Sequence, residues 1–275
     1  RQRQGLRPVE AFEQRQHHAQ ADEQGPPGVG AEEAVLRVGL VDLAVLRGFV
    51  QPSNTMSSVQ PTFHDSELLV RRIQGAANHS EAVLRDLREL LIEAGIVVTQ
   101  LDAIAFGAGP GAFTGLRLAC GVAQGIALGA DLGVAAIGSL QALALQAGAR
   151  RVFVATDARM GEVYHAAFEQ DAEGVPMPVG RAGCSHPLEV ELPAGDWFAA
   201  GSAFRVWPQQ LEARFLGRLT GCLPDMVPRA EEVARLAAVA MVRGELTSPE
   251  LAAPLYVRDK VALTTAERLA RGGRA

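Results

Sequence analysis

The chain has 275 residues, enough to bury a sizeable core in one or two domains. Its 48% hydrophobic and 21% charged residues are ordinary for a soluble globular protein. A net charge of −5 and an aromatic content of 5% argue against a protein that grips nucleic acid by itself, which wants a basic surface or stacking platforms. Cys120, Cys184 and Cys222 are far apart and make no CxxC or Cys/His zinc spacing, so buried thiols in a reducing cytoplasm are expected.

Residues 1 to about 33 carry repeated glutamines, the His17-His18 pair and GPPGVG, with no apolar periodicity and no apolar leader. A disordered tail is expected there, because such a segment buries too little surface to offset its ordering entropy. Ala34 to Val50 is apolar and reads as a strand pair or a short helix. ELLVRRI, Glu67 to Ile73, reads as a strand. Asn78 to Ala94 reads as an amphipathic helix, with Asn78 and Glu81 placed as a capping box and Gly95 as its stop. Its stripe of Val83, Leu84, Leu87, Leu90 and Leu91 faces either its own core or a partner helix. LDAIAF, Leu101 to Phe106, is a buried strand, and Leu116 to Ala130 a helix capped by Thr114.

Gly121, Gly125 and Gly129 lie four apart in that helix and share one face, which predicts close backbone packing. The longest apolar run, Leu118 to Ile137, is broken by Gln124 and Asp131 and reads as core rather than as a membrane span. Val134 to Ile137 and Ser139 to Ala147 continue the alternation of strand and helix, the mark of an α/β layer. After Arg150 two strands flank a turn at Ala158 to Gly161, a short strand is expected near Trp197 to Ala200, and Glu231 to Arg243 is a helix. Pro254 to Arg268 is extended at first and looser at its end.

The run GAGPGAFTG, Gly107 to Gly115, joins a strand to a helix, where free N–H groups and the helix dipole favour phosphate. Gly107, Gly109, Gly111, Thr114 and Gly115 are therefore the candidate cofactor-binding residues. The run has no lysine and so is no P-loop, and it meets the dinucleotide pattern only loosely, at Gly107, Gly109 and Ala112. A tight structural turn explains it equally well. His64, His165 and His186 are isolated; no catalytic set and no metal site can be named.

GAGPGAFTGLRLACGVAQGIALG strongly resembles the corresponding segment of the TsaB family, the dimerisation subunits of bacterial tRNA threonylcarbamoyladenosine synthesis. NHSEAVL (78–84), DARMGEVYHA (157–166), AAGSAF (199–204) and PLYVRDKVA (254–262) follow in the family's order. The resemblance implies an α/β protein of two RNase-H-like, actin-like (ASKHA) domains. It implies a non-catalytic subunit that pairs with a TsaD-like catalytic subunit, or with itself, through the first long helices. On that reading Val83, Leu84, Leu87, Leu90 and Leu91 are the candidate partner interface. A TsaE-like ATPase belongs to the same complex, tRNA is met only indirectly, no membrane is involved, and ATP or ADP enters only within the complex. The catalytic paralogue's His-x-x-x-His is not matched here, since Val83 follows His79 by four.

The family opens with a strand ending in a motif like AIDTST, whereas this chain reads FVQPSNTMSS at Phe49 to Ser58. The first domain is therefore expected to lack its normal opening strand. Residues 1–55 are expected to be an atypical, disordered or mis-framed segment, with 56–148 and 149–275 as the two domains. The alternative is a nucleotide-binding enzyme, an ASKHA phosphotransferase or a dinucleotide-dependent enzyme, that uses the 107–115 loop with Asp157 as its acid.

Overall fold

Strand β4 (Ala103–Gly109) is buried along its whole length, and its side chains divide by the two-residue period of a strand. Ile104, Phe106 and Ala108 enter one apolar cluster, while Ala103 and Ala105 enter another on the opposite face. The structure, a computed structural model, describes residues 33–38, 41–46, 68–73, 79–215 and 217–258. The calls for order or disorder on residues 1–32, for a cap at Asn78 and for the tail past Arg258 lie outside them.

Two five-stranded sheets make up the fold. The first has the order β3-β1-β2-β4-β5, from β1 (Glu33–Val38), β2 (Val41–Leu46), β3 (Leu68–Ile73), β4 and β5 (Gly133–Gly138). Here β1 and β2 form a hairpin, β2 runs antiparallel to β4, and β4 runs parallel to β5. Residues 33–38 and 41–46 supply two strands of the sheet, as the strand-pair reading of the apolar run from Ala34 expects, so the expectation of a disordered segment through residue 55 does not hold for them. The second sheet has the order β10-β9-β6-β7-β8. It contains β6 (Arg151–Arg159), β7 (Glu162–Gln170), β8 (Pro176–Ser185), β9 (Trp197–Ala200) and β10 (Leu219–Leu223), with β6 parallel to β9.

Helices α1 (His79–Glu93) and α2 (Phe113–Ala130) cover one face of the first sheet. Gly95, at φ 66, ends α1 as expected: its N–H donates to Ile92 O while Ile96 N–H reaches back to Leu91 O. Helix α3 (Ser139–Ala147) packs Leu140, Leu143, Ala144 and Ala147 onto Val152, Val154 and Phe168 of the second sheet. The other face of that sheet is closed by α4 (Ala203–Val206) and α5 (Pro208–Arg214) around Phe153, Trp197 and Phe215. Helix α6 (Ala230–Val242) then returns to the first sheet and lays Val233, Ala234, Leu236 and Ala237 on Ala103, Ala105 and Ile137. The segment 149–275 is therefore no self-contained unit, because its last helix completes the first sheet.

Three further expectations are corrected. Strand β4 continues to Gly109, so the first third of the glycine run is strand. Helix α2 starts at Phe113 behind Ala112, with no side-chain cap from Thr114. Gly121, Gly125 and Gly129 pack against nothing: a Cβ at any of them would meet no heavy atom within 4 Å, and all three are exposed. The face of α2 that does pack is Leu116, Ala119, Cys120, Ala123 and Ala127.

The α1 stripe is settled in the same way. Val83, Leu87, Leu90 and Leu91 are buried in the cluster beneath α1, and only Leu84 of the five expected interface residues is exposed. Leu90→Ala should lower the unfolding free energy by about 2–5 kcal/mol, the cost of a core cavity, as read from a urea midpoint. Leu84→Ala should change it by less than about 0.5 kcal/mol.

Candidate functional site

The end of β4 and the start of α2 form one wall of a cleft of about 650 Å³. Gly107, Pro110, Gly111, Ala112 and Phe113 come from this turn, and Asp157, Arg159 and Tyr164 come from the hairpin of β6 and β7. Ser202 follows β9, and Leu255, Tyr256 and Arg258 belong to the extended segment after α6. All four later stretches quoted for the family resemblance, from the glycine run onward, therefore converge on a single cavity between the two sheets.

The glycine turn is shaped by what touches it. Gly109 sits at φ 113, and a Cβ there would stand 2.9 Å from Leu116 Cδ1 and 3.0 Å from Leu255 O. Only glycine combines that backbone conformation with that approach. Leu255 N–H donates to Ala108 O at 2.8 Å, so the extended segment pairs with the last residues of β4. Tyr256 OH accepts from Arg117 Nε at 3.1 Å, and the Arg117 guanidinium lies 3.8 Å from the centre of the Phe113 ring.

The opposite wall carries backbone strain. Met160 (φ 57) and Gly161 (φ 79) make a two-residue turn with both residues left-handed, which matches the twist of a hairpin, and Arg159 before them is also left-handed at φ 62. A non-glycine residue in that region costs roughly 1–3 kcal/mol. The conformation is held by neighbours. Asp157 Oδ1 accepts from Arg159 N–H at 3.1 Å, and Asp157 Oδ2 lies 3.2 Å from Arg159 Nη1. Arg258 Nη2 donates to Ala158 O at 2.9 Å and forms an ion pair with Glu162 Oε2 at 2.7 Å. Burial pushes the Tyr164 phenol up from its ordinary pKa, so it stays a neutral hydroxyl.

Of the expected cofactor residues, Gly107 and Gly111 line the cleft, whereas Gly109 is turned against Leu116 and Leu255. Thr114 and Gly115 are not among the lining residues. Asp157 does reach the cavity, where it is the one carboxylate among the described lining residues and is engaged by Arg159. His165 lies outside the lining, its Nε2 3.1 Å from Ser185 Oγ and its ring stacked on Phe153. Burial lowers its pKa and favours the neutral ring. The remaining lining residues offer hydroxyls and guanidinium groups: a surface able to orient a polar group, without a base to activate one. Sequence reasoning missed Arg258, Tyr164 and Ser202, although each sits inside a stretch already quoted for the family; their convergence is a matter of topology.

The cleft and the mixed α/β sheets agree with what this chain resembles. The sequence model of the family described as "TsaD: tRNA N6-adenosine threonylcarbamoyltransferase" matches residues 73–266, so a TsaD-type domain spans most of the chain. The tRNA threonylcarbamoyladenosine biosynthesis protein TsaB of Escherichia coli (strain K12) is 34% identical over 197 residues, covering 67% of this chain and 82% of that protein. Its namesake from Haemophilus influenzae is 32% identical over 200 residues, covering 66% and 81%. The solved structure of YeaZ from Pseudomonas aeruginosa superposes with a TM-score of 0.63 at 31% identity, covering 83% of this chain and all of that one (100%). A second, described as an uncharacterized protein with similarity to peptidase YEAZ from Pseudomonas aeruginosa, gives 0.64 at 32%, covering 84% and 100%. The chain belongs to the TsaB family.

Gly109→Ala should destabilise the fold by more than about 1 kcal/mol, because it strains the backbone and drives a methyl group onto Leu255 O. A thermal melt reads the loss, and Gly111→Ala, whose Cβ would meet Leu116 only at 3.7 Å, should cost less.

Proposed function

We propose that this chain is the non-catalytic partner subunit in tRNA threonylcarbamoyladenosine biosynthesis. It would pair with a TsaD-type catalytic subunit, act alongside a TsaE-type ATPase in the cytoplasm, and meet tRNA only through that complex. The observation that carries the reading is the match to TsaB proteins over two thirds of the chain. The strand order of the second sheet supports an RNase-H-like domain, with three antiparallel strands followed by two parallel ones. The two-domain actin-like arrangement is part of the same proposal, with 56–148 forming the first domain together with β1, β2 and the returning α6.

The surface offered to a partner differs from the stripe expected from sequence. It is the outer side of α1 and α2: Leu84 and Ile92, at 55% and 67% exposure, and the open glycine face of Gly121, Gly125 and Gly129. Glycines bare of neighbours let another helix approach the α2 backbone closely, which favours dispersion contacts over side-chain fit. Self-pairing would use the same side. Ile92→Asp and Gly125→Trp should each weaken co-purification with the TsaD-type partner at least tenfold and lower the modified-adenosine content of tRNA, with the monomer's melting temperature unchanged. Undiminished co-purification of both variants would refute this interface.

A second reading is favoured by the cleft, where the glycine turn faces Asp157: a nucleotide-binding enzyme. On the leading reading ATP and ADP enter only in the assembled complex. Calorimetry with the isolated chain and millimolar ATP or NAD should then give no binding heat. A saturable heat abolished by Asp157→Asn would instead favour the enzyme.

A further inference from the structure

Two stretches that the partner-subunit reading leaves without a task, the hairpin at 157–166 and the segment at 252–258, meet at one side chain, Arg258. The segment is tied to the first sheet step by step. Thr247 and Val134 exchange backbone hydrogen bonds at 2.9 Å in both directions. Ala252 O accepts from Gln124 Nε2 at 3.1 Å and from Cys120 Sγ at 3.4 Å, both on α2. Leu255 N–H then closes on Ala108 O at 2.8 Å, at the end of β4. Arg258, three residues on, reaches the other wall of the cleft, where it holds Ala158 O and Glu162 Oε2 and lies 5.5 Å from the centre of the Tyr164 ring. Its own side chain is only 14% exposed, whereas that of Glu162 is 39% exposed.

Away from the cleft, Arg243 at the end of α6 meets Asp171 Oδ2 at 2.9 Å and Val175 enters the first sheet's cluster; two further joints between the sheets are unlike in kind. One joint is α3, whose apolar side chains pack over an area of the second sheet and leave no single contact to release. The other is the fork of one guanidinium group, in which Nη2 alone meets both Ala158 O and Glu162 Oε2, a directional contact concentrated at one residue that can let go as a unit. It binds where the backbone is least relaxed, at the carbonyl before left-handed Arg159 and Met160. We propose that the 252–258 strap and Arg258 form a latch across the cleft, with α3 as the fixed joint. The latch sets the separation of the glycine turn from the hairpin tip and holds that tip in its left-handed conformation. Arg258 is a positioning residue here, acting through the hairpin. The inference goes beyond the partner-subunit reading and does not depend on it.

Hydrogen–deuterium exchange by mass spectrometry on the full chain tests the latch without any partner. In Arg258→Met, which keeps an apolar stem and removes the fork, exchange should rise at least tenfold at residues 158–164 and 107–113. It should stay unchanged at 140–147 and 152–155. Arg258→Lys, with a charge but no fork, should fall between. Exchange at 158–164 that matches the wild type, or a rise spread equally through α3 and β6, would overturn the latch, the second because it marks general destabilisation. If Arg258→Met does not fold, Glu162→Gln carries the same comparison: a rise confined to the hairpin supports the latch and none refutes it.

Discussion

A sheet with two apolar faces needs two covering layers, and the first sheet obtains its second layer from the far end of the chain. Helices α1 and α2 cover the Ile104, Phe106 and Ala108 side, and they are close by in sequence. The Ala103, Ala105 and Ile137 side is covered by α6, which begins at Ala230 after the whole second sheet has been laid down. Small residues on both surfaces, alanine against alanine, let helix and strands approach closely. Because α6 must return, the two sheets cannot part freely, and the segment leaving α6 has to run along the edge of β5 and over the end of β4. The cleft and its strap are consequences of that return.

The glycines of this chain separate into two kinds that the sequence does not distinguish. Gly109 is confined by a left-handed backbone and by Leu116 and Leu255. Gly121, Gly125 and Gly129, which by spacing alone look like a packing groove, face open space. Spacing shows which residues share a helix face, but which way that face turns is decided by the other residues. Leu116, Ala119, Ala123 and Ala127 have more apolar surface to bury, so they take the sheet and the glycines are left outside.

Local pattern made much of the order of elements legible. Helix α1, strand β9, helix α3 and the 151–170 hairpin all lie within a few residues of their expected bounds, because period and turn chemistry are local properties. Strand β8 was not legible: PMPVGRAGCS, with two prolines and two glycines, does not read as a strand, and it is tolerated because it lies at the sheet edge. Of the two readings of the α1 stripe, its own core and a partner helix, Val83, Leu87, Leu90 and Leu91 follow the first, since a helix lying on a sheet needs that stripe for itself. Arg258 could not be found at all by local reasoning. Its partners Ala158 and Glu162 lie about a hundred residues away, and only the return of α6 brings them together.

Each sheet has a parallel pair at one edge, β4-β5 and β9-β10, but the two differ in the direction of the strand beside that pair. In the second sheet β6 runs parallel to β9, so its end delivers Asp157 to the cleft. In the first sheet the matching place is held by β2, antiparallel to β4, with Leu46 opposite Ala103 at the far end from the glycine turn. A strand is required there, because the buried backbone of β4 needs hydrogen-bond partners on that side, and either direction supplies them. The direction changes what reaches the cleft. By that register the start of β2, rather than its end, lies beside the glycine turn, and Asp157, the carboxylate among the described lining residues, comes from the second sheet. The glycine turn at the same end of β4 seats Leu255, whose N–H closes on Ala108 O and whose carbonyl stands against Gly109.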